Sequence, residues 1–365
     1  MRTLHGDAVS KLSNPAAVFF LVGQSIAKST GTVAFIQPIS FLATRDGSGV
    51  RRLLASTGNI QSVWICTDQV FDANVSVVTV SLTRGSTFGS VNVYSGRSAD
   101  PVGSIPAFSD DEATWSRAMS RSRGFPSISL SSTSTFSDMC SVASDFRDQY
   151  YGLVGHVFDE PNPQGSGMRL ATVGLIDPGH FAWGRTTTKF AKETYTCPVV
   201  RSEGLEPKLQ KWAESRRCPK VLVATQTRVL ECFVDTDGSV LPSVPLITIF
   251  SDPERLFHVA AALTSPVVSL VAAERHLGAG ISADVLKLSG QDMLRLPLPI
   301  DEPAWDAGAA LFRDLQSSLD QGERSRLILE LGSVMNTAYG VDAPDVLDWW
   351  VARLPRSLHL GGSHD

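Results

Sequence analysis

The feature that most constrains the fold is a polar loop that leads into a run of β-branched residues. The loop covers residues 70–76 and carries one aromatic side chain, Phe71. The residues that follow, up to Thr83, are valine, threonine, serine and leucine, and such a run predicts a strand over residues 75–83. The apolar stretch Ile60–Cys66 predicts a second strand before the loop. Two strands joined by about eight residues predict a pair that turns back on itself at Phe71.

The segment before these strands predicts an α/β fold. Residues 32–36 are apolar, residues 46–56 have a helix-like pattern, and Ile60–Cys66 is the next apolar stretch. A strand, a helix and a second strand at these short spacings predict a βαβ unit. In open α/β sheets, ligands lie beyond the carboxyl ends of the strands. The loop with Phe71 follows one such end and is therefore a candidate binding loop.

Two stretches of this region resemble a known family. They are Gly31-Thr-Val-Ala-Phe-Ile-Gln-Pro-Ile-Ser-Phe-Leu and Val70-Phe-Asp-Ala-Asn-Val-Ser-Val-Val. Both are similar to the second half of adenine-specific DNA methyltransferases of restriction–modification systems, which have a Rossmann-like catalytic domain followed by a target-recognition domain. The resemblance implies that Phe71 packs against an adenine flipped out of the duplex, because a flipped base needs an aromatic surface to replace its lost stacking. The alternative is an aromatic side chain that caps a local core in a hairpin loop.

The resemblance and the composition together divide the chain into four parts. Residues 1–95 are expected to form the C-terminal half of a methyltransferase-like α/β domain with a partial Rossmann-like sheet, and the serine-rich residues 96–149 a lightly packed connector. Residues 150–300 contain short β-rich pieces between glycine and proline turns, and predict an α+β, largely β target-recognition domain. Apolar residues repeat every three to four positions over residues 301–365 and predict a helical C-terminal segment.

Composition bounds the class of protein. With 43% hydrophobic and 19% charged residues, the chain is typical of globular proteins rather than disordered ones. The five cysteines are odd in number and form no Cys-x-x-Cys pair, which favours a reducing cytoplasm and argues against a zinc site; no metal is expected. The longest purely apolar run, residues 16–22, is too short to span a bilayer. We therefore expect a cytoplasmic protein without a membrane segment.

Charge is distributed unevenly along the chain, whose formal net charge is −5. Residues 181–232 hold ten Lys/Arg against five Asp/Glu, whereas residues 301–365 hold eleven acids against five bases. A basic middle can contact a phosphate backbone despite the acidic total, so double-stranded DNA is the expected partner. Arginine pairs bidentately with guanine and lysine neutralises phosphate, and the candidate contacts are Arg185, Lys189, Lys192 and Arg228. The alternative is a solvated basic surface.

Two further local patterns predict structure rather than chemistry. Ser289 followed three residues later by Asp292 is a capping box, which predicts a short helix. His180, beside Gly179, could be a ligand or an acid–base residue. Seven scattered histidines without a paired carboxylate motif favour a structural role for it.

The motifs that a complete methyltransferase needs were not found. The family has a glycine-rich loop for S-adenosylmethionine and a catalytic Asn-Pro-Pro-aromatic motif. Here the Asn-Pro pair at residues 14–15 is followed by two alanines and predicts a helix start instead. The early Gly-x-Gly at residues 47–49 lies after the segment that matches the second half of the family.

These absences lead to an expectation about partners. The resemblance implies that S-adenosylmethionine binds the assembled enzyme and not this chain alone, and that a separate polypeptide carries the N-terminal half of the methyltransferase. Two alternatives stay open from the sequence. One is a non-catalytic DNA-recognition protein that resembles a specificity subunit, and the other is an inactive truncated remnant.

Overall fold

A computed structural model describes residue 9 and residues 14–56, 60–72, 75–110, 114–145, 147–163, 165, 167–277 and 285–358. Residues 73–74 of the predicted Phe71 loop thus lie outside the described residues. The chain divides into two compact units. The N-terminal unit consists of Met1–Ser127 and Ala272–Lys287, and the C-terminal unit of Ile128–Val271 and Leu288–Asp365.

The N-terminal unit is built on a five-stranded sheet with helices. The strands are Thr32–Pro38 (β1), Ile60–Cys66 (β2), Val77–Thr83 (β3), Ser90–Ser95 (β4) and Asp100–Pro106 (β5). The α-helices are Pro15–Ile26 (α1), Ser48–Ser56 (α2) and Ser116–Ser122 (α3), and short 3-10 turns occupy Ile39–Leu42 and Arg45–Gly47. The predicted strands and helices before residue 95 are therefore confirmed, although β3 begins two residues later than predicted.

The order of the sheet is β1-β3-β2-β4-β5. Strand β3 lies between β1 and β2 and is antiparallel to both, so β1 and β2 run in the same direction. Strand β2 pairs in parallel with β4, and β4 pairs antiparallel with β5. The register brings Val63, Val80 and Val93 side by side, and all three are fully buried. Buried valines that lie side by side on neighbouring strands hold one face of a sheet against the core.

Helix α1 begins as its sequence predicts. The side chain of Asn14 accepts a hydrogen bond of 2.9 Å from the backbone N–H of Ala16, and Pro15 occupies the first turn. On the face toward β1, a Cβ at Gly23 would come within 2.6 Å of the Phe35 ring. Glycine at position 23 is what lets the helix approach the strand so closely.

The connector predicted over residues 96–149 instead contains regular, well-packed structure. It holds β5, α3, a 3-10 turn at Phe136–Asp138 and a strand at Ser141–Ser144. Trp115 is fully buried and its ring stacks on Phe108 with 4.4 Å between the ring centroids. The large apolar residues here are isolated rather than periodic, so the serine-rich composition concealed them. The domain boundaries themselves stay predictions.

The C-terminal unit contains many short strands, as its glycine and proline turns predicted. The strands are Ser141–Ser144 (β6), Val157–Asp159 (β7), Met168–Ala171 (β8), Ile176–Asp177 (β9), His180–Phe181 (β10), Thr188–Phe190 (β11), Glu193–Tyr195 (β12), Pro198–Val200 (β13), Lys220–Ala224 (β14), Glu231–Asp235 (β15), Val240–Pro242 (β16) and Ile247–Phe250 (β17). One four-stranded sheet has the order β16-β8-β13-β7 and another has the order β15-β14-β17-β6, while β9–β10 and β11–β12 form two-stranded ribbons.

Eight helices that the structure describes follow or interrupt these strands. They are Arg147–Gly152 (α4), Pro207–Glu214 (α5), Leu256–Thr264 (α6), Pro266–His276 (α7), Gly290–Leu294 (α8), Glu302–Ser317 (α9), Gln321–Ala338 (α10) and Pro344–Val351 (α11), with 3-10 turns at Val173–Leu175, Pro253–Arg255 and Arg356–Leu358. The predicted capping box of Ser289 and Asp292 starts α8, and three α-helices occupy residues 302–351 of the segment that was predicted to be helical. Helices α9 and α10 approach each other closely at Gly308, where a Cβ would clash with the Met335 sulfur.

The mixed α/β architecture is therefore as predicted, while the Rossmann-like character of the first sheet stays a prediction. No single helix in the described part of the chain is long and apolar enough to cross a membrane. The helices over Pro253–Thr264 and Pro266–His276 reach that length and composition only as a pair, and the pair is bent by 60°. Its apolar side chains, such as Val259 and Leu270, are fully buried within the protein.

Candidate nucleic-acid interface

The first candidate site is the loop that follows the carboxyl end of β2. Phe71 lies in this loop with 50% of its surface exposed. The loop opens onto a cleft of about 510 Å³, lined by Asp68, Gln69, Val70, Phe71, Asp72 and Arg97. About half of the Phe71 surface is therefore accessible from the cleft.

Hydrogen bonds hold the described residues 69–72 of this loop. Arg97, in the turn between β4 and β5, donates from Nη2 to the backbone oxygen of Gln69 over 3.0 Å. The Gln69 side chain donates to the backbone oxygen of Asp72 over 3.1 Å, which closes the loop around Phe71. The indole N–H of Trp64 donates to the Gly96 oxygen over 2.7 Å and ties β2 to the same turn. Sequence reasoning missed Arg97, because its effect depends on the pairing of β2 with β4.

The described residues of the N-terminal unit do not fit S-adenosylmethionine. A cofactor of that kind is held by a glycine-rich turn that follows a strand and leads into a helix. Here β1 is followed by the 3-10 turn Ile39–Leu42 and β2 by the Phe71 loop. A Cβ at Gly47 would lie 2.8 Å from Nη1 of Arg51 and 3.4 Å from the Phe41 oxygen, so protein fills that space. Burial, and to a smaller extent the nearby charge of Arg52, lowers the pKa of Arg51 to about 10. Arg51 stabilises the fold by donating hydrogen bonds to two backbone oxygens.

Two predicted DNA contacts lie on the β11–β12 ribbon. Thr188 and Phe190 point into the protein, whereas Lys189 between them and Lys192 at the turn are exposed. The turn has positive φ at Ala191 (49°) and Lys192 (74°), conformations that glycine or asparagine normally occupies. The Tyr150 hydroxyl accepts a hydrogen bond from the Ala191 N–H over 3.0 Å and supports this strained turn.

The two predicted arginines differ in their surroundings. Arg185 follows β10, is exposed, and makes no side-chain hydrogen bond or ion pair with any described residue. Arg228 lies in the loop between β14 and β15, and its Nη2 donates to the Leu354 oxygen over 3.1 Å. Four other basic residues of the stretch 181–232 are in ion pairs: Arg201 with Glu160, Arg216 with Asp145, Arg217 with Glu214 and Lys220 with Asp235. The free basic groups are therefore fewer than the sequence count of ten.

A second cleft, of about 360 Å³, surrounds His180 in the C-terminal unit. We call it the His180 cleft; the residues that line it include Arg169, His180, Trp183, Arg185, Asp237 and Leu319. Burial lowers the pKa of His180, and the positive charges of Arg324 and Arg185 lower it further against the opposing effect of Asp177. Arg169 and Trp183 were not singled out as site residues from the sequence, and His180 was assigned a structural role. No metal site adds to the cleft, because the described residues contain no cluster of three His, Cys, Asp or Glu suited to one.

Comparison with known proteins identifies the fold. No family model matches the sequence, and no curated protein matches it. The type IIL restriction-modification enzyme MmeI, solved in complex with DNA, matches with a TM-score of 0.54 and 12% identity over 93% of this chain and 51% of that one. The chain shares the fold of that part of MmeI. It spans about half of the length of MmeI.

Two further solved structures match with lower TM-scores. The type IIG restriction endonuclease BpuSI has a TM-score of 0.36 at 11% identity, over 94% of this chain and 50% of that one. The DrdV–DNA complex has a TM-score of 0.34 at 12% identity, over 80% of this chain and 38% of that one. The roles of Phe71, Arg185, Lys189, Lys192 and Arg228 stay predictions.

Proposed function

We propose that this chain is part of an S-adenosylmethionine-dependent, adenine-specific DNA methyltransferase of a restriction–modification system. The N-terminal unit supplies the loop that receives the flipped adenine, and the C-terminal unit recognises the DNA target. A further polypeptide carries the cofactor-binding and catalytic motifs. The fold shared with MmeI, a restriction-modification enzyme, supports the coarser assignment.

The observation that carries this proposal is the placement of Phe71. It is half exposed, follows the carboxyl end of β2, and lies in a loop closed by the hydrogen bonds of Gln69 and Arg97. A base that leaves the duplex loses its stacking, and an aromatic ring held at a fixed position can replace it. A loop that is fixed before the base arrives loses less conformational entropy when it binds.

The edge of the sheet supports the need for a complementary polypeptide. Within the described residues, β1 pairs only with β3 and forms one edge of the sheet. Phe35 and Ile36 on this strand are 37% and 50% exposed. Among the described residues, no strand pairs with the backbone groups on the outer side of β1. An apolar edge strand without a partner favours pairing with a further strand. In the proposed enzyme that strand belongs to the cofactor-binding half.

Calorimetry and complementation test whether a separate polypeptide supplies cofactor binding and catalysis. The purified chain should not bind S-adenosylmethionine appreciably and should not methylate DNA alone. Methylation should appear when a polypeptide with the Asn-Pro-Pro-aromatic motif is added. Ile36→Lys at the β1 edge should prevent this activation, while Ser104→Lys on exposed β5 should not. Micromolar binding of the cofactor by the lone chain would contradict the proposal.

Salt-dependent binding tests the DNA-recognition part. The full chain should bind duplex DNA with an affinity that falls steeply with salt, because each phosphate contact releases counterions. Arg185→Ala and Lys189→Ala should each weaken binding and reduce the slope of log K against log salt by about 0.9. Arg326→Ala is a matched control, since Arg326 is exposed on α10 and pairs with Glu330. An affinity that does not respond to salt would exclude electrostatic contact.

A non-catalytic DNA-recognition protein is the second candidate. It is favoured by the lack of a fitting cofactor cradle among the described residues, where Arg51 fills the space beside Gly47. Under this alternative, duplex binding persists and no added polypeptide restores methylation. An inactive remnant would show neither property.

A further inference from the structure

Both apolar and charged side chains line the His180 cleft. Trp183 and Leu319 are among the apolar ones, and Leu319 is 70% exposed. The indole N–H of Trp183 is already bound to the Pro198 oxygen over 2.9 Å, and the Arg169 guanidinium lies 5.9 Å from the centroid of its ring. The exposed Leu319 side chain is suited to the apolar side of a sugar. The volume of about 360 Å³ falls within the range of small-ligand sites, about 300–1,000 Å³.

The charges around the cleft sum to a positive excess. Arg169 lies 3.9 Å from Asp237, and Lys220 is paired with Asp235, so each of these pairs cancels. The groups that remain close to His180 are Arg185, Arg324 and Asp177, which leave one positive charge. The neighbouring Glu231 has its pKa raised to about 8, first by burial and then by Asp177, which favours its neutral form.

Arg324 is fixed beside the cleft by backbone carbonyls. Its guanidinium donates to the oxygens of Pro178 and Gly179 over 2.9 and 3.2 Å, and also to the oxygen of Leu315. Its positive charge is therefore balanced by dipoles and not by a hydrogen-bonded carboxylate. His180 and Arg185 differ from Arg324, because among the described residues neither of them has a side-chain hydrogen bond. Both are available to an incoming anion.

We infer that the His180 cleft binds one phosphate of the DNA backbone and that His180 takes up a proton when it does. This inference rests on the proposed DNA-binding function and adds a specific site to it. Arg185 contacts the phosphate at the rim, His180 donates from its protonated ring, and the sugar lies against Leu319. A hydrogen bond between two ionised groups is shorter and about twice as strong as a neutral one, so protonation tightens the contact.

The charges around His180 determine whether DNA affinity rises or falls with pH. Without DNA, burial and the two arginines hold His180 in its neutral form at pH 7. A bound phosphate adds negative charge within hydrogen-bond distance and raises the pKa of the same imidazole. The complex then binds more protons than the free protein, so affinity rises as pH falls through the pKa of the bound form and levels off below that of the free form.

The direct test is a histidine titration by NMR. The full chain, with labelled histidine, is titrated between pH 5 and 9 alone, with a short duplex, with a deoxynucleoside monophosphate and with inorganic phosphate. The His180 resonance is assigned as the one missing from His180→Gln. We expect the duplex to raise its pKa by at least one unit. A rise with the free phosphates but not with the duplex, or no rise at all, would overturn the assignment to the DNA backbone.

Binding measurements give an independent readout. Wild-type affinity for the duplex should increase as the pH falls from 8 to 5, by at most about tenfold for each unit by which DNA raises the pKa of His180. His180→Gln should remove this increase, whereas His258→Gln, whose imidazole pairs with Asp306 outside the cleft, should preserve it. Salt-dependent binding without the pH effect would refute this inference and leave the proposed function standing. Absence of any duplex binding would refute the proposed function itself.

Discussion

The buried ion pair of Lys220 and Asp235 offers a prediction whose magnitude can be worked from the structure. The two side chains are 0% and 2% exposed, on the paired strands β14 and β15. The Lys220 ammonium also donates to the oxygens of Arg216 and Cys218, and Asp235 accepts from the N–H groups of Ser239 and Val240. All three donor positions of the ammonium are therefore used.

Removing one charge leaves the other buried without its partner. Burial raises the pKa of Asp235 and lowers that of Lys220, and the attraction between the two opposes both shifts. Asp235→Asn keeps the shape and part of the hydrogen bonding but leaves the ammonium with carbonyls alone. Loss of one partner of a buried pair costs about 3–5 kcal/mol. This is a large fraction of the roughly 5–15 kcal/mol that stabilises a typical protein.

The assay is urea unfolding followed by circular dichroism at pH 7, with the free energy of unfolding extrapolated to water. Asp235→Asn should lower this free energy by about 3–5 kcal/mol. The double variant Lys220→Met with Asp235→Asn should recover most of the loss, because no buried charge remains. Glu330→Gln, which breaks the exposed pair with Arg326, should cost less than about 1 kcal/mol. The reasoning is refuted if Asp235→Asn behaves like Glu330→Gln, or if the double variant is no more stable than the single one.

Three further outcomes are expected. Phe71→Ala should lower methylation by the assembled enzyme about 5- to 150-fold, the equivalent of about 1–3 kcal/mol of base stacking, with a smaller effect on duplex affinity; equal methylation rates would contradict the flipped-base role. Lys192→Gly should raise the free energy of unfolding by about 1 kcal/mol, because glycine relieves the positive φ of 74°, and should weaken DNA binding. Lys192→Ala should weaken DNA binding equally without the gain in stability, and a stability gain in both would exclude strain as the cause. Glu231 has its pKa raised to about 8, so wild-type stability should fall as pH rises from about 4.5 to about 8, where the unfolded chain has released this proton and the folded chain has not. Glu231→Gln should reduce the difference in the free energy of unfolding between pH 5 and pH 8 by more than about 1 kcal/mol, as measured by urea unfolding. An unchanged difference would show that the carboxyl is ionised throughout.

Local sequence patterns determined many of the helices and strands. The cap at Asn14 starts α1, the capping box at Ser289 starts α8, and the apolar stretch Ile60–Cys66 forms β2. Each of these patterns acts over fewer than about ten residues, so the residues that cause the element are also the residues that form it. The same holds for the placement of Phe71 in a loop after a strand.

Tertiary structure decided the order of the sheet and the packing of residues 96–149. Strand β3 inserts between β1 and β2, and β2 pairs with β4, through contacts between residues far apart in the chain. Nothing in the local pattern of Val77–Thr83 specifies which neighbours it will have. Trp115 is buried against Phe108 although its neighbours in the sequence are polar. Single large side chains of this kind gain their burial from distant partners, which composition cannot show.

Tertiary structure also decided which basic residues are available to DNA. Lys220 belongs to the basic stretch by sequence, yet it is buried because Asp235 lies opposite it on the next strand. Arg185 and Lys189 stay exposed, and the hairpin of β9 and β10 brings His180 into the same cleft as Arg185 and Arg169. The sequence determined the number of charges. Folding determined which of them meet a partner inside the protein, because a Coulomb interaction depends on distance in space and on burial, and neither follows from position along the chain.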